Sequence, residues 1–497
     1  MILSSIHSLA NSNPDGIALR FENEAFSYRA LVREIDRVAG VLASQGVVSS
    51  TPVGVYCENN SVTMLLYYAV SKIGGTFVPM NSVLTASEAA YIIDHAGIHH
   101  LFVDDKLADA AIEAVGERDC KIINVKQIQG TSAVAPFEAA QFPKDDFLIV
   151  YTSGSTGVPK AVRYTQSSEV GGNESLIELW NITPADKVLV ALPLGFLYGL
   201  STAASMALQG GAEVILLRKF RPSDVLDAVL EHRVTVFQGV PTMFSMMLEY
   251  AEQNDLTYDL SFVRLFISAG APLSQELRDR FQRRFNKQIE DYYALTEVRP
   301  VFGRYAAREV TIPCGSIGQA APGVEVKFVG ADGQLVSPGS VGEVWVKAPA
   351  TTSGYFKAPE LTDAAFESGF FKTGDLGYCD ADGFYYLTGR IKDIIIKGGA
   401  NIAPAEVEEA ICAHPAVQLA SVIGIPDPKF GELPLAFFVT AAGRSVSVEE
   451  LTAHCRARLA EFKVPVEFIQ LSEMPLGSTA KIDKKALVKL WEGTVHA

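Results

Sequence analysis

A rhythm constrains this chain most. Short apolar runs alternate with stretches of helical periodicity: residues 53–56, 76–79 and 100–103 read as strands, with helices at 62–73 and 87–95. The rhythm returns with strands at 187–192, 213–217 and 234–238 and helices at 201–208 and 222–231. Alternation at this spacing builds parallel sheets covered by helices. Two α/β blocks are expected, although no residue-level repeat relates them. At roughly 150 residues per domain, 497 residues require more than one.

The texture changes near residue 315. Turn signals at 318–323, 330–333, 337–342 and 380–383 separate β-type runs such as 325–329 and 342–346. Ala381-Asp382-Gly383, followed by Phe384-Tyr385-Tyr386-Leu387, marks a hairpin. This section reads as antiparallel and barrel-like. After Arg390 a small α/β unit follows. Pro404 opens a helix, with Glu406, Glu408 and Glu409 near its positive end. Strands are expected at 417–425 and 435–439, and a helix at 448–459.

Charge narrows the function. There are 42 Lys and Arg against 57 Asp and Glu, a net −15. Neutralising nucleic-acid phosphates needs a basic face, so a general nucleic-acid binder is excluded. The six cysteines form neither a CxxC unit nor a CxxC…HxxxH pattern, and read as reduced thiols of a cytoplasmic protein. The first residues lack a basic start and a sustained apolar core, so no signal peptide is expected. Residues 188–212 carry no formal charge and are long enough to span a bilayer. They also contain Pro193, Gly195, Gly199, Gly210 and Gly211, which suits buried strand, loop and small-residue helix.

The most informative local feature is Tyr151-Thr152-Ser153-Gly154-Ser155-Thr156-Gly157-Val158-Pro159-Lys160, after the apolar run 147–150. Glycines let backbone N–H groups approach oxygen, hydroxyls add donors and Lys160 adds charge, which is chemistry for polyphosphate. Walker A spacing is absent, and so is the GxSxG of a serine-hydrolase elbow. Ser-Gly-Ser alone would be a flexible turn.

The chain resembles the adenylate-forming enzymes: acyl- and aryl-CoA synthetases, peptide-synthetase adenylation domains and beetle luciferases. The resemblance runs from Phe26-Ser27-Tyr28 to Lys481. It continues through Ser268-Ala269-Gly270-Ala271-Pro272-Leu273, Tyr293-Ala294-Leu295-Thr296-Glu297 and Gly354-Tyr355. Lys372-Thr373-Gly374-Asp375, Gly389-Arg390-Ile391-Lys392-Asp393, Lys397-Gly398-Gly399 and Gly477-Ser478-Thr479-Ala480-Lys481 complete it. Each motif is weak alone; the ordered set is specific. It implies two α/β subdomains plus a β-barrel-like subdomain in an ATP- and acid-binding domain, residues 1–390, and a small mobile α/β domain, residues 391–497.

The implied chemistry is attack of a carboxylate on the α-phosphorus of ATP, release of pyrophosphate, then thioester formation. Positioning and charge stabilisation do most of that work. Lys481 would bridge the carboxylate and the α-phosphate from the mobile domain; Ala480 stands where the family usually has Gly. Glu297 would hold Mg²⁺, with Thr152 a second oxygen. Ser153, Gly154, Ser155, Thr156, Gly157 and Lys160 would meet phosphate, and Thr296 the α-phosphate. Gly270, Ala271 and Pro272 would bind the nucleotide, and Tyr293 would lie against its adenine. Asp375 would accept the ribose hydroxyls, with Arg390 beside it. Lys392 would be the hinge between two catalytic poses, with Lys397, Gly398 and Gly399 on the thiol side.

Amino-acid-activating relatives usually carry an Asp near residue 196. Here Pro193-Leu194-Gly195-Phe196-Leu197-Tyr198-Gly199 has no acid, which argues against an amino-acid substrate. Phe196 reads as a packing gate, and Val240 and Gly270 as pocket residues. Arg299 is expected either to meet a second carboxylate of the acid or to be an exposed loop residue or structural ion pair. The segment Lys397 to Glu408 resembles the CoA-synthetase form, so CoA is the expected acceptor. The phosphopantetheine of a separate carrier protein is the alternative, since no fused carrier domain is expected after Lys481. A non-catalytic sensor of nucleotide or acyl adenylate would keep the fold and lose Lys481, Glu297 or Asp375; all three are present. Nothing specifically favours a luciferase-like oxygenase.

Overall fold

The computed structural model describes residues 2–130, 146–152, 159–441, 443–475 and 482–495. The expected α/β class is found. A six-stranded sheet is mostly parallel and centred on Pro52–Tyr56, Thr76–Met80 and His100–Val103. A nine-stranded sheet is built around the parallel strands Lys187–Val190, Glu213–Leu216, Val236–Gly239, Leu265–Ser268 and Ile289–Tyr293.

Period-two alternation decides the layers. Val188 and Val190 join a central core with Val53 and Val55 of the other sheet and with Leu31, Ile35, Leu65 and Leu66 of the helices Tyr28–Ser44 and Ser61–Ile73. The intervening Leu189 instead joins Phe237, Phe266, Phe244 and Phe281 on the opposite face. Val78 and Val103 do the same for the six-stranded sheet. Helix, sheet, helix, sheet and helix are thus stacked.

The chain crosses between these layers early. Ile17–Phe21 pairs in parallel with Glu213–Leu216, a partner no local pattern marks. Where a helix was expected at 201–208, a wide π-helical turn spans Tyr198–Ser205 and only Met206–Gln209 is α-helical. Among the described residues no helix is long and apolar enough to cross a membrane. The six cysteines are free.

The expected antiparallel section is a five-stranded sheet including Glu325–Val329, Gly342–Lys347, Phe370–Cys379 and Tyr385–Arg390, with the hairpin at the expected turn. A second five-stranded sheet begins at Ile395–Lys397 and holds the long pair Val417–Asp427 and Gly431–Thr440. Its core includes Ile395, Val407, Val422, Phe438 and Leu451.

Close backbone approach shapes the loop after Lys187–Val190. A Cβ on Gly195 would stand 2.5 Å from the Asn81 Cα, and one on Gly199 would meet the Pro193 carbonyl. Gly195→Ala is therefore expected to lower stability by about 1–3 kcal/mol through overpacking, read as an earlier denaturation midpoint. An unchanged midpoint would show that the loop has room there.

Candidate active site

The parallel strands of the nine-stranded sheet run in register, Gly239 beside Ser268 and Ser268 beside Asp291. Their carboxyl ends therefore deliver Val240, Ala269-Gly270-Ala271 and Tyr292-Tyr293 to one edge, the usual place for a ligand in an open α/β sheet. Gly270 takes φ +86°, which favours glycine. Ala269 N–H donates to the Gly239 carbonyl at 3.1 Å, and the Tyr198 hydroxyl donates to the same oxygen at 3.3 Å. Tyr198 is thereby brought to the end of the strand Val236–Gly239, and Phe196 is half-buried two residues before it.

In the six-stranded sheet, Leu148–Thr152 and Lys160–Tyr164 form an antiparallel hairpin with Thr152 opposite Lys160. Ser153, Gly154, Ser155, Thr156 and Gly157 lie outside the described residues, as does Lys481. Lys160 opens the strand that pairs back on Leu148–Thr152. The Lys160 ammonium lies 5.1 Å from the Tyr355 ring centroid. The Tyr355 hydroxyl donates to Glu297 Oε1 at 2.9 Å. Burial, then the Glu297 charge, push the Tyr355 phenol above its ordinary pKa. Gly354 takes φ +123°, and Tyr355 follows it into a bridge with Val162. Nothing in the Gly354-Tyr355 motif itself marks Tyr355 for this contact.

Asp375 is buried and faces Arg390 across an antiparallel pair. Arg390 Nε lies 2.6 Å from Asp375 Oδ1, and the Tyr293 hydroxyl donates to Oδ2. Asp375 N–H donates to Thr373 Oγ1 at 3.0 Å, so this motif fixes the backbone that carries the carboxylate. Burial, then Asp375, raise the Tyr293 phenol pKa. One face of the Tyr293 ring stacks on Phe302, which stacks on Tyr385, a column with no sequence periodicity to announce it.

Thr296 presents its carbonyl to the Tyr164 hydroxyl. Arg299 is 1% exposed, and its guanidinium pairs with Glu169 and donates to Asn173. Its charge is thus met inside the chain, and Glu169 was not anticipated. Lys392 is exposed in a single 3₁₀ turn. Gly398 and Gly399, both at positive φ, join Ile395–Lys397 to Ala400–Ile402 as a two-residue hairpin, and Lys397 Nζ donates to the Phe462 carbonyl at 3.0 Å. These residues are built into the small sheet. Among the described residues no three His, Cys, Asp or Glu side chains cluster as a metal cage.

His95 Nδ1 lies 2.8 Å from the Tyr151 hydroxyl, next to Thr152. Burial, then the Lys357 charge, hold its imidazole below the ordinary value of 6.5. As pH falls through 6.5 the unfolded chain takes up the proton first, so stability is lost from there down to the folded pKa. His95→Gln is expected to flatten that loss; parallel curves of denaturation midpoint against pH would refute the assignment.

Residues 7–356 match the model of the AMP-binding enzyme family, and residues 406–481 that of the AMP-binding enzyme C-terminal domain. The chain is 33% identical to 2-succinylbenzoate–CoA ligase of Bacillus velezensis over 97% of each chain, and 30% identical to indoleacetate–CoA ligase of Aromatoleum aromaticum over 96% of each. It superposes on o-succinylbenzoate CoA synthetase of Bacillus subtilis, solved with its acyl-adenylate intermediate, with a TM-score of 0.87, 30% identity and 97% coverage of both chains. The chain belongs to the AMP-binding enzyme family, whose members of known structure that it resembles are adenylate-forming enzymes.

Proposed function

We propose that this chain is an AMP-forming acid–CoA ligase. The observation that carries the reading is a pair of anchored carboxylates at the meeting of three sheets: Glu297, held by Tyr355 under Lys160, and Asp375, held by Tyr293 and Arg390. Asp375 is the acceptor for the ribose hydroxyls, with Arg390 beside it. The Tyr293 face not covered by Phe302 takes the adenine, against Gly270, Ala271 and Pro272. Ser153 to Gly157, Lys160 and Thr296 orient the phosphates.

Glu297 would hold Mg²⁺, with Thr152 as a second oxygen. A single half-buried carboxylate, with no protein cage among the described residues, fits an ion that keeps waters and shares its shell with substrate phosphates. Bound there, the ion would offset charge on the departing pyrophosphate.

In the first step a carboxylate oxygen bonds to the α-phosphorus as the bond to pyrophosphate breaks, with Lys481 neutralising the crowded charge. In the second the CoA sulfur bonds to the acyl carbon and AMP leaves. The chain divides at residues 390/391, with Lys392 as the hinge that exchanges Lys481 for the Lys397-Gly398-Gly399 hairpin. The segment Pro193 to Gly199, with Phe196 in place of an acid, favours a substrate acid without an α-amine. The enzyme works in the cytoplasm.

Pyrophosphate release across an acid panel, with CoA, with a phosphopantetheinylated carrier or with neither, tests the reading. Release with one acid and a thioester with CoA are expected; a thioester only with the carrier would replace the acceptor. Lys481→Ala should slow adenylation by about 10²–10³-fold, the scale of losing one transition-state donor. Undiminished ATP consumption in that variant would end the proposal.

A further inference from the structure

We propose that the buried Glu169–Arg299 pair is a positioning device for the Thr296–Glu297 segment; the idea rests on the functional reading above. Glu169 is 0% exposed and lies in the first turn of the helix Gln166–Trp180, which begins directly after the strand that Lys160 opens. Its Oε2 accepts from Arg299, and its Oε1 accepts from the hydroxyls of Tyr67, at 2.8 Å, and Ser201. One turn along the same face, Asn173 Oδ1 accepts from Arg299 Nη1 at 3.3 Å. Gly172 makes room: a Cβ there would stand 2.5 Å from the Ala350 Cβ and 3.3 Å from Nη1.

The other side of the segment is held by backbone. Val298 pairs with Thr351 and Arg299 with Ala350, and Thr352 N–H donates to the Glu297 carbonyl at 2.8 Å. Tyr164 supplies a third anchor. Its ring lies 5.7 Å from the guanidinium carbon and its hydroxyl donates to the Thr296 carbonyl. Thr296 and Glu297 thus sit between a sheet edge and the helix that leaves the phosphate hairpin. Arg299 touches no reacting atom in this arrangement.

As a stability device the pair is poor. Among the described residues Arg299 Nε is buried without a partner, and a buried ion pair is often no better than apolar side chains of its size. What an ion pair adds over apolar packing is direction. It fixes the angle at which residues 296–299 pass the helix Gln166–Trp180.

The test uses the full chain and a double variant, Arg299→Met with Glu169→Met, which leaves neither charge unpaired. Calorimetric binding of AMP and of Mg·ATP is measured, together with the Mg²⁺ concentration for half-maximal pyrophosphate release and the thermal midpoint. We expect AMP affinity within about twofold of wild type, Mg·ATP at least tenfold weaker and a Mg²⁺ requirement at least fivefold higher. Arg299→Lys, which keeps the charge opposite Glu169 and loses the fork that also reaches Asn173, should weaken Mg·ATP binding about threefold, and decides the matter if the double variant does not fold. Unchanged Mg·ATP affinity and Mg²⁺ requirement would make the pair merely structural. A changed acid preference with unchanged nucleotide binding would place Arg299 in the acid pocket and overturn the proposal. Failure of wild type itself to bind Mg·ATP would instead remove the functional reading.

Discussion

The hydroxyl of Tyr293 on the Asp375 carboxylate ties the nine-stranded sheet to the antiparallel one, and the site depends on joints of this kind. Tyr293 ends a parallel strand, while Asp375 sits inside an antiparallel strand and draws Arg390 from the next. The six-stranded sheet joins through Tyr355, which bridges to Val162, lies under Lys160 and holds Glu297. Three sheets therefore meet through tyrosine hydroxyls on carboxylates. A charged acceptor makes such bonds stronger than neutral ones, and burial raises the penalty for breaking them. The Glu297 and Asp375 carboxylates are thus positioned by groups that belong to the fold.

The rhythm of strands and helices was legible because the expected parallel strands are short apolar runs set between stretches of helical periodicity. Gly398-Gly399 and Ala381-Asp382-Gly383 likewise announce their hairpins. Long-range pairing was not legible. Ile17–Phe21 finds Glu213–Leu216 across nearly two hundred residues, and nothing local records that. Tyr198–Ser205 reads as ordinary helix because its small apolar residues suit any helix, and nothing in their spacing marks the wider turns.

The site was half legible for a related reason. Motifs name the residues that would face ligand, since ligand chemistry restricts their types: Glu297, Asp375 and Lys160 stand out for this. Residues that hold them are restricted only by geometry. Phe302 and Tyr385 could each be core anywhere, and they form the column behind Tyr293 only once two sheets are assembled. Arg299 shows the limit from the other side. An arginine two residues from a metal-binding candidate invites a substrate role, but its partner, Glu169, lies in a helix 130 residues away.

Polar burial of this extent has a structural consequence. Glu169, Asn173, Ser201, Ser205 and Gln209 are all buried in the layer between the parallel sheets, where apolar residues would pack as well. Hydroxyls of Tyr67, at 2.8 Å, and Tyr68, at 3.3 Å, feed the same network. Such a network is stable only when its members are satisfied together, so it resists sliding of one layer on another more than an oily interface does. Functional groups drawn from separate sheets need that resistance, because a shift of about 1 Å can cost two orders of magnitude in rate. The interior polarity and the dispersed site are thus two sides of one requirement.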